Sequence, residues 1–142
     1  MHRQELRDLA DVRLKEAVAL FDAGLFSGSY YLAGYSVECA LKACIANSIE
    51  AHVVRAKKFE NAFYTHNLVN LATTAGLFRI DTLDLPGTDA ELADRIGVNW
   101  TTAKDWNEDS RYKLWTEKDA NDLIKAIDDS EAGILTWLKT RW

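Results

Sequence analysis

An all-α antiparallel up-and-down bundle of four to five helices is the fold this sequence predicts. Three observations point to it. Apolar residues recur at spacings of three and four over long segments, the signature of amphipathic helices. One proline and seven glycines give too little punctuation for a many-stranded β-protein. With 48% apolar and 27% charged residues among 142, the chain can bury the core of a single domain, here taken as residues 1–142.

The first helix is predicted from Arg3 to Ala23. Leu6, Leu9, Ala10, Leu14, Ala17, Val18 and Phe21 line one face, and Gly24 is placed to stop it with a left-handed residue. The second helix, from Ser29 to Ile49, is apolar around most of its circumference and therefore reads as the most buried. Gly34 costs about 1 kcal/mol relative to alanine in a helix interior, which a close helix approach would justify. Its two charges, Glu38 and Lys42, are four apart in the favourable order.

Residues 50–64 read as a loop or frayed helical extension holding the basic cluster Arg55, Lys57 and Lys58. Thr65 is the expected N-cap of a short third helix, with Leu68, Val69, Leu71, Ala72 and Ala75 inward and Gly76 at its end. After a connector carrying Pro86, Thr88-Asp89-Ala90-Glu91 reads as a capping box. Helix four follows, with Leu92, Ala93, Ile96 and Trp100 inward. The tryptophan-rich stretch from Asn99 to Trp115 reads as a long loop. Thr116-Glu117-Lys118-Asp119 then opens a fifth helix with its stripe from Ala120 to Leu138.

The net charge of −5 excludes broad electrostatic binding of nucleic acid. The first 71 residues carry eight basic and eight acidic side chains and the last 71 carry nine and fourteen, so a local basic pocket stays open. The N-terminus lacks the uninterrupted apolar segment of a signal peptide. The uncharged run Ala23 to Val37 is too short and glycine-interrupted to span a bilayer. A cytoplasmic protein without a membrane segment is expected. Cys39 and Cys44 point about 140° apart on a helix, so they read as small buried hydrophobes rather than a disulfide. No Cys/His set has zinc spacing, and neither a metal nor a cofactor is expected.

The second helix, Ser29-Tyr-Tyr-Leu-Ala-Gly-Tyr-Ser-Val-Glu-Cys-Ala-Leu-Lys-Ala-Cys44, resembles the corresponding helix of HEPN domains (higher eukaryotes and prokaryotes nucleotide-binding). Thr65-His66-Asn67-Leu68 with Leu71 is similar to that family's "His-Asn/Asp-Leu, two residues, Leu" helix start. Trp106 with Asp109-Ser110-Arg111-Tyr112 looks like its "Arg-Tyr" segment, and Ile134 to Leu138 fits its closing helix. The matches run in order over nearly the whole chain. The resemblance implies a helical bundle, frequent homodimerisation, and a role in toxin–antitoxin, defence or stress systems. It also implies a minimal nucleotidyltransferase as protein partner. Many members are metal-independent ribonucleases using Arg, four to six residues, then His. Here Arg111 is in the expected region, but no histidine follows it; only His2, His52 and His66 exist.

Four residues form the candidate nucleotide- or phosphate-binding site: Glu38, His66, Arg111 and Tyr112. Glu38, a carboxylate on an apolar helix, needs a partner. Arg111 is the expected one, either as a buried scaffold ion pair or as part of a pocket for a phosphate; a surface pair with Lys42 is the third option. His66 is either a locally hydrogen-bonded helix-start residue or a general base that completes a catalytic pair with Arg111. Tyr35 and Tyr112 either stack on a base or pack with tethered hydroxyls. Trp100, Trp106 and Trp115 read as core caps, a dimer interface or a nucleobase platform. Trp137 and Trp142 dock on the bundle or on a second subunit. Three functions remain: a nucleotide- or RNA-binding partner module, an endoribonuclease with a divergent site, or a structural dimerisation domain.

Overall fold

The computed structural model describes residues 2–52, 64–79, 82–83, 85 and 88–142. Six α-helices lie among them: α1 (Arg3–Asp22), α2 (Phe26–His52), α3 (Leu68–Thr74), α4 (Ala90–Ala103), α5 (Glu117–Asp128) and α6 (Ile134–Leu138). A 3-10 helix, Glu108–Tyr112, precedes α5. Among the described residues, the extended structure is a two-residue antiparallel ladder between β1 (Phe78–Arg79) and β2 (Thr82–Leu83). The all-α prediction holds, and no helix among the described residues is long and apolar enough to cross a membrane. The basic cluster of Arg55, Lys57 and Lys58 lies outside the described residues.

α2 is the axis of the molecule, packing against α1, α3, α5, α6 and the 3-10 helix. Ala33, Val37, Cys39, Ala40, Leu41, Ala43, Cys44 and Ile45 are all buried, as its all-round apolarity requires. α1 turns into α2 through Gly24 at φ +77°, where Leu25 N–H donates to Leu20 O and Gly24 N–H to Phe21 O. This pair of bonds caps the last carbonyls of α1 in a Schellman turn. The two helices then run antiparallel. Ser29 Oγ donates to Ala17 O and Ser36 Oγ to Ala10 O, each at 2.7 Å, while Arg3 reaches Asn47. Small residues at positions 10, 17, 29, 33, 36 and 40 permit this close seam. Gly76, at φ +74°, ends α3 in the same way.

Several boundaries differ from the sequence expectation. Asn67, not Thr65, caps α3, and its side chain accepts the Asn70 N–H at 2.9 Å. Thr65 Oγ1 accepts the Asn67 N–H instead. Val69 is exposed rather than inward, because the buried face of α3 runs through Leu68, Leu71 and Ala72. Asp89 replaces Thr88 as the cap of α4, taking the Leu92 N–H at 2.9 Å. Asn99 to Ala103 is helical, because Trp100 and Ala103 continue the buried spacing that Ile96 begins. The remainder of that tryptophan-rich stretch is not an open loop either: Trp106 is 1% exposed, and Glu108–Tyr112 is the 3-10 helix.

The expected fifth helix is broken into α5 and α6 at an Asp129 corner. Asp129 Oδ1 accepts the N–H groups of Glu131 and Ala132, at 2.9 and 2.7 Å. Its carbonyl accepts Gly133 N–H and Thr136 Oγ–H. A β-carbon on Gly133 would stand 2.5 Å from the Asp129 and Ile127 carbonyl oxygens, so glycine is required there. Ile134, Leu135, Trp137 and Leu138 nevertheless reach the core. Trp142 docks on the bundle itself, between the cations of Arg7 and Lys139 at 5.2 and 5.5 Å.

Candidate functional site

Tyr31, Tyr35, Glu38 and Lys42 fall at i, i+4, i+7 and i+11 of α2 and so share one face. The N-terminal end of α3 and the 3-10 helix both meet this stripe. Glu38 is 2% exposed. Its Oε1 accepts a 2.9 Å hydrogen bond from Lys42 Nζ and lies 2.8 Å from His66 Nδ1. Its Oε2 is buried and takes no hydrogen bond among the described residues. A buried carboxylate persists only with such charge-assisted partners.

His66 sits between Thr65 and the cap Asn67, the two residues that shape the entry of α3. Its ring is held at both nitrogens, by Glu38 at Nδ1 and by Glu108 Oε2 at 3.2 Å from Nε2. The ring and the Glu108 side chain are each about two-fifths exposed, so the outer contact faces water while the inner one does not.

The 3-10 helix delivers Glu108 and Arg111, three residues apart and therefore eclipsed on one side. Tryptophans fix it from both ends. The Trp106 ring lies against Gly34 and packs tilted on Tyr31 at 5.7 Å. Trp115 stacks on Tyr30 with centroids 3.8 Å apart, donates its indole N–H to Ser110 O, and donates its backbone N–H to Ser27 Oγ. Trp106 and Trp115 thus anchor this segment on α2.

Arg111 does not pair with Glu38. Its guanidinium carbon lies 4.8 Å from the Tyr112 ring centroid. The phenol of Tyr112, and next that of Tyr31, push its pKa further above the ordinary arginine value. The reason is placement along α2. The segment sets Arg111 down beside Tyr31, and Glu38 stands seven residues further, about 10 Å along the axis. Glu38 is instead paired within its own helix by Lys42, with His66 closing the group at the same oxygen. The expected Glu38–Arg111 ion pair is therefore replaced by two linked groups: Glu38–Lys42–His66–Glu108, and Arg111–Tyr112–Tyr31. The 3-10 helix connects them.

Tyr112 is 75% exposed and available beside Arg111. Tyr35 is half-buried and stacks with Tyr31 at 6.1 Å. Its phenol pKa is raised by burial first, then by the neighbouring Cys39 and Glu38, which keeps it a proton donor. Arg13 of α1 also faces Tyr35 and Cys39 while pairing with Glu16 at 2.7 Å. Lys42, Glu108, Tyr31 and Arg13 belong to this neighbourhood beyond the four residues singled out from sequence. The spacing from Tyr31 to Lys42 was the signal for two of them.

Among the described residues no group of three or more His, Cys, Asp or Glu side chains is arranged to hold a metal ion. A groove of about 380 Å³ at the α1–α2 turn, lined by Leu25, Phe26, Leu114 and Trp115, contains no titratable side chain. No family model matches the chain, and no curated protein or solved structure matches it.

Proposed function

We propose that the chain is a HEPN-like module that binds the phosphate of a nucleotide or RNA between Arg111 and His66, with Tyr112 as the stacking surface. In this reading it acts in the cytoplasm as a homodimer, within a prokaryotic toxin–antitoxin, defence or stress system, beside a minimal nucleotidyltransferase. One observation carries it: Arg111 is a permanent surface cation held by phenols, on the same 3-10 helix that reaches His66. Guanidinium and imidazole N–H groups are suited to phosphate oxygens, and an exposed tyrosine beside them offers a face to a base.

Calorimetric titration with single-stranded RNA and with common nucleotides tests the reading. The wild type is expected to bind, and Arg111→Ala to bind at least ten-fold more weakly. Absence of binding by the wild type would leave a structural or dimerisation domain.

The buried Glu38 at His66 Nδ1 specifically favours a second reading, metal-independent endoribonuclease activity. A carboxylate that fixes one imidazole nitrogen aims the other outward as a general base. Nε2 would take the 2′-hydroxyl proton, the 2′-oxygen would attack phosphorus to form a 2′,3′-cyclic phosphate, and the 5′-oxygen would leave with a proton from water, Arg111 stabilising the phosphorane charge. In this reading the histidine comes from the segment entering α3 rather than from after Arg111. Equal cleavage of RNA in chelator by wild type, His66→Ala and Arg111→Ala would refute it.

A further inference from the structure

We propose that Glu108 is an internal occupant of the anion position at His66, so that an incoming phosphate must displace its carboxylate. The inference deepens, and rests on, the phosphate-binding reading above. Glu38 fixes the imidazole from the buried side through Nδ1, 2.8 Å away, and shares the same oxygen with Lys42. Nε2 is then the ring's one outward-facing nitrogen, and Glu108 Oε2 lies 3.2 Å from it.

The two carboxylates on this ring are unlike. Glu38 is 2% exposed and cannot leave without stranding Lys42 and a buried oxygen. The Glu108 side chain is 42% exposed, and a contact of that kind is weak against water and salt. Glu108 also shares an eclipsed edge of the 3-10 helix with Arg111. Rotation of its side chain into solvent would clear His66 Nε2, with Arg111 one turn further along the same 3-10 helix. The helix itself stays in place, because Trp106 and Trp115 hold it.

The experiment is calorimetric titration of single-stranded octauridylate into the full chain as wild type, Glu108→Gln, Asp109→Asn, His66→Ala and His66→Ala/Glu108→Gln. Asp109→Asn removes the same charge from the adjacent position and controls for net charge. Glu108→Gln is expected to tighten binding roughly three- to ten-fold over wild type, well beyond Asp109→Asn. The gain is expected to vanish when His66 is already alanine. Wild-type binding with equal gains from Glu108→Gln and Asp109→Asn, or a gain that survives His66→Ala, would overturn the internal-occupant role and leave phosphate binding intact. No binding by wild type or by Glu108→Gln would overturn both.

Discussion

The indole of Trp106 lies where a side chain at position 34 would begin: a β-carbon on Gly34 would stand 2.2 Å from its Cδ1 and Cγ. The glycine that weakens α2 by propensity is thus the seat of the segment that carries Glu108 and Arg111. Gly34→Ala would gain about 1 kcal/mol of helix propensity. It would also drive a fully buried ring from its place, and overpacking of a filled core typically costs about 1–3 kcal/mol. At so short a separation the clash is expected to win. Urea titration should show net destabilisation of about 1 kcal/mol or more, and a stabilised variant would show that the ring moves aside freely.

Lys42 and Glu38 should be strongly coupled. Both are largely buried, at 12% and 2% side-chain exposure, and 2.9 Å apart. Removing one partner of a buried pair costs more than the pair contributes, because the other charge is stranded. A double-mutant cycle with Lys42→Met and Glu38→Gln is expected to give about 1–3 kcal/mol of coupling. Lys42→Met alone should be the more damaging single change, since Lys42 lies nearer the surface and can reach water whereas Glu38 cannot.

The Asp129 corner should make stability fall in acid. The N–H groups of Ala132 and then Glu131 hold its carboxyl below the ordinary aspartate value. A pKa lower in the folded state than in the unfolded one contributes stability that is complete above the unfolded value, about 3.9. That contribution is lost as pH falls through the lower folded value. Asp129→Asn keeps an acceptor oxygen but does not titrate. The gap in melting temperature between wild type and Asp129→Asn should therefore narrow as pH drops below about 4, and a constant gap would refute the assignment.

Both thiols should be inert in the folded chain. Burial pushes Cys39 up to about 11 and Cys44 up to about 12, and the reactive species is the thiolate. Cys44 Sγ also lies 3.7 Å from Leu138 O, beneath the C-terminal turn. Iodoacetamide at about pH 8 is expected to label neither cysteine in the native protein and both in urea. Rapid labelling of either one without denaturant would contradict the burial described.

The helical core was legible because each long helix writes its burial as a repeat of three and four. Where side chains with weak helix preference carried that repeat, the sequence read as irregular. Asn99, Thr101 and Thr102 made the end of α4 look like a loop, although Trp100 and Ala103 continued the buried face. The break at Asp129 was hidden because α5 and α6 both face the core, and the clash that demands Gly133 comes from backbone atoms no periodicity encodes. At the site, Glu38 and His66 stood out individually, as a carboxylate among hydrophobes and a polar ring at a helix start. Their pairing was not legible. The height at which the 3-10 helix meets α2 is set by Trp106 on Gly34, a contact between distant parts of the chain, and that height decides which residue Arg111 reaches.

The contact between Trp106 and Tyr31 has one practical outcome. Three indoles, those of Trp100, Trp106 and Trp137, are shielded from water, and Trp106 touches the phenol that steadies Arg111. Near-ultraviolet emission from that one chromophore is thus wired to the guanidinium through a single aromatic neighbour. With Trp100, Trp137 and Trp142 replaced by phenylalanine and the anchor Trp115 kept, a change in the remaining emission would report on the surroundings of the arginine, with no dye attached to either molecule.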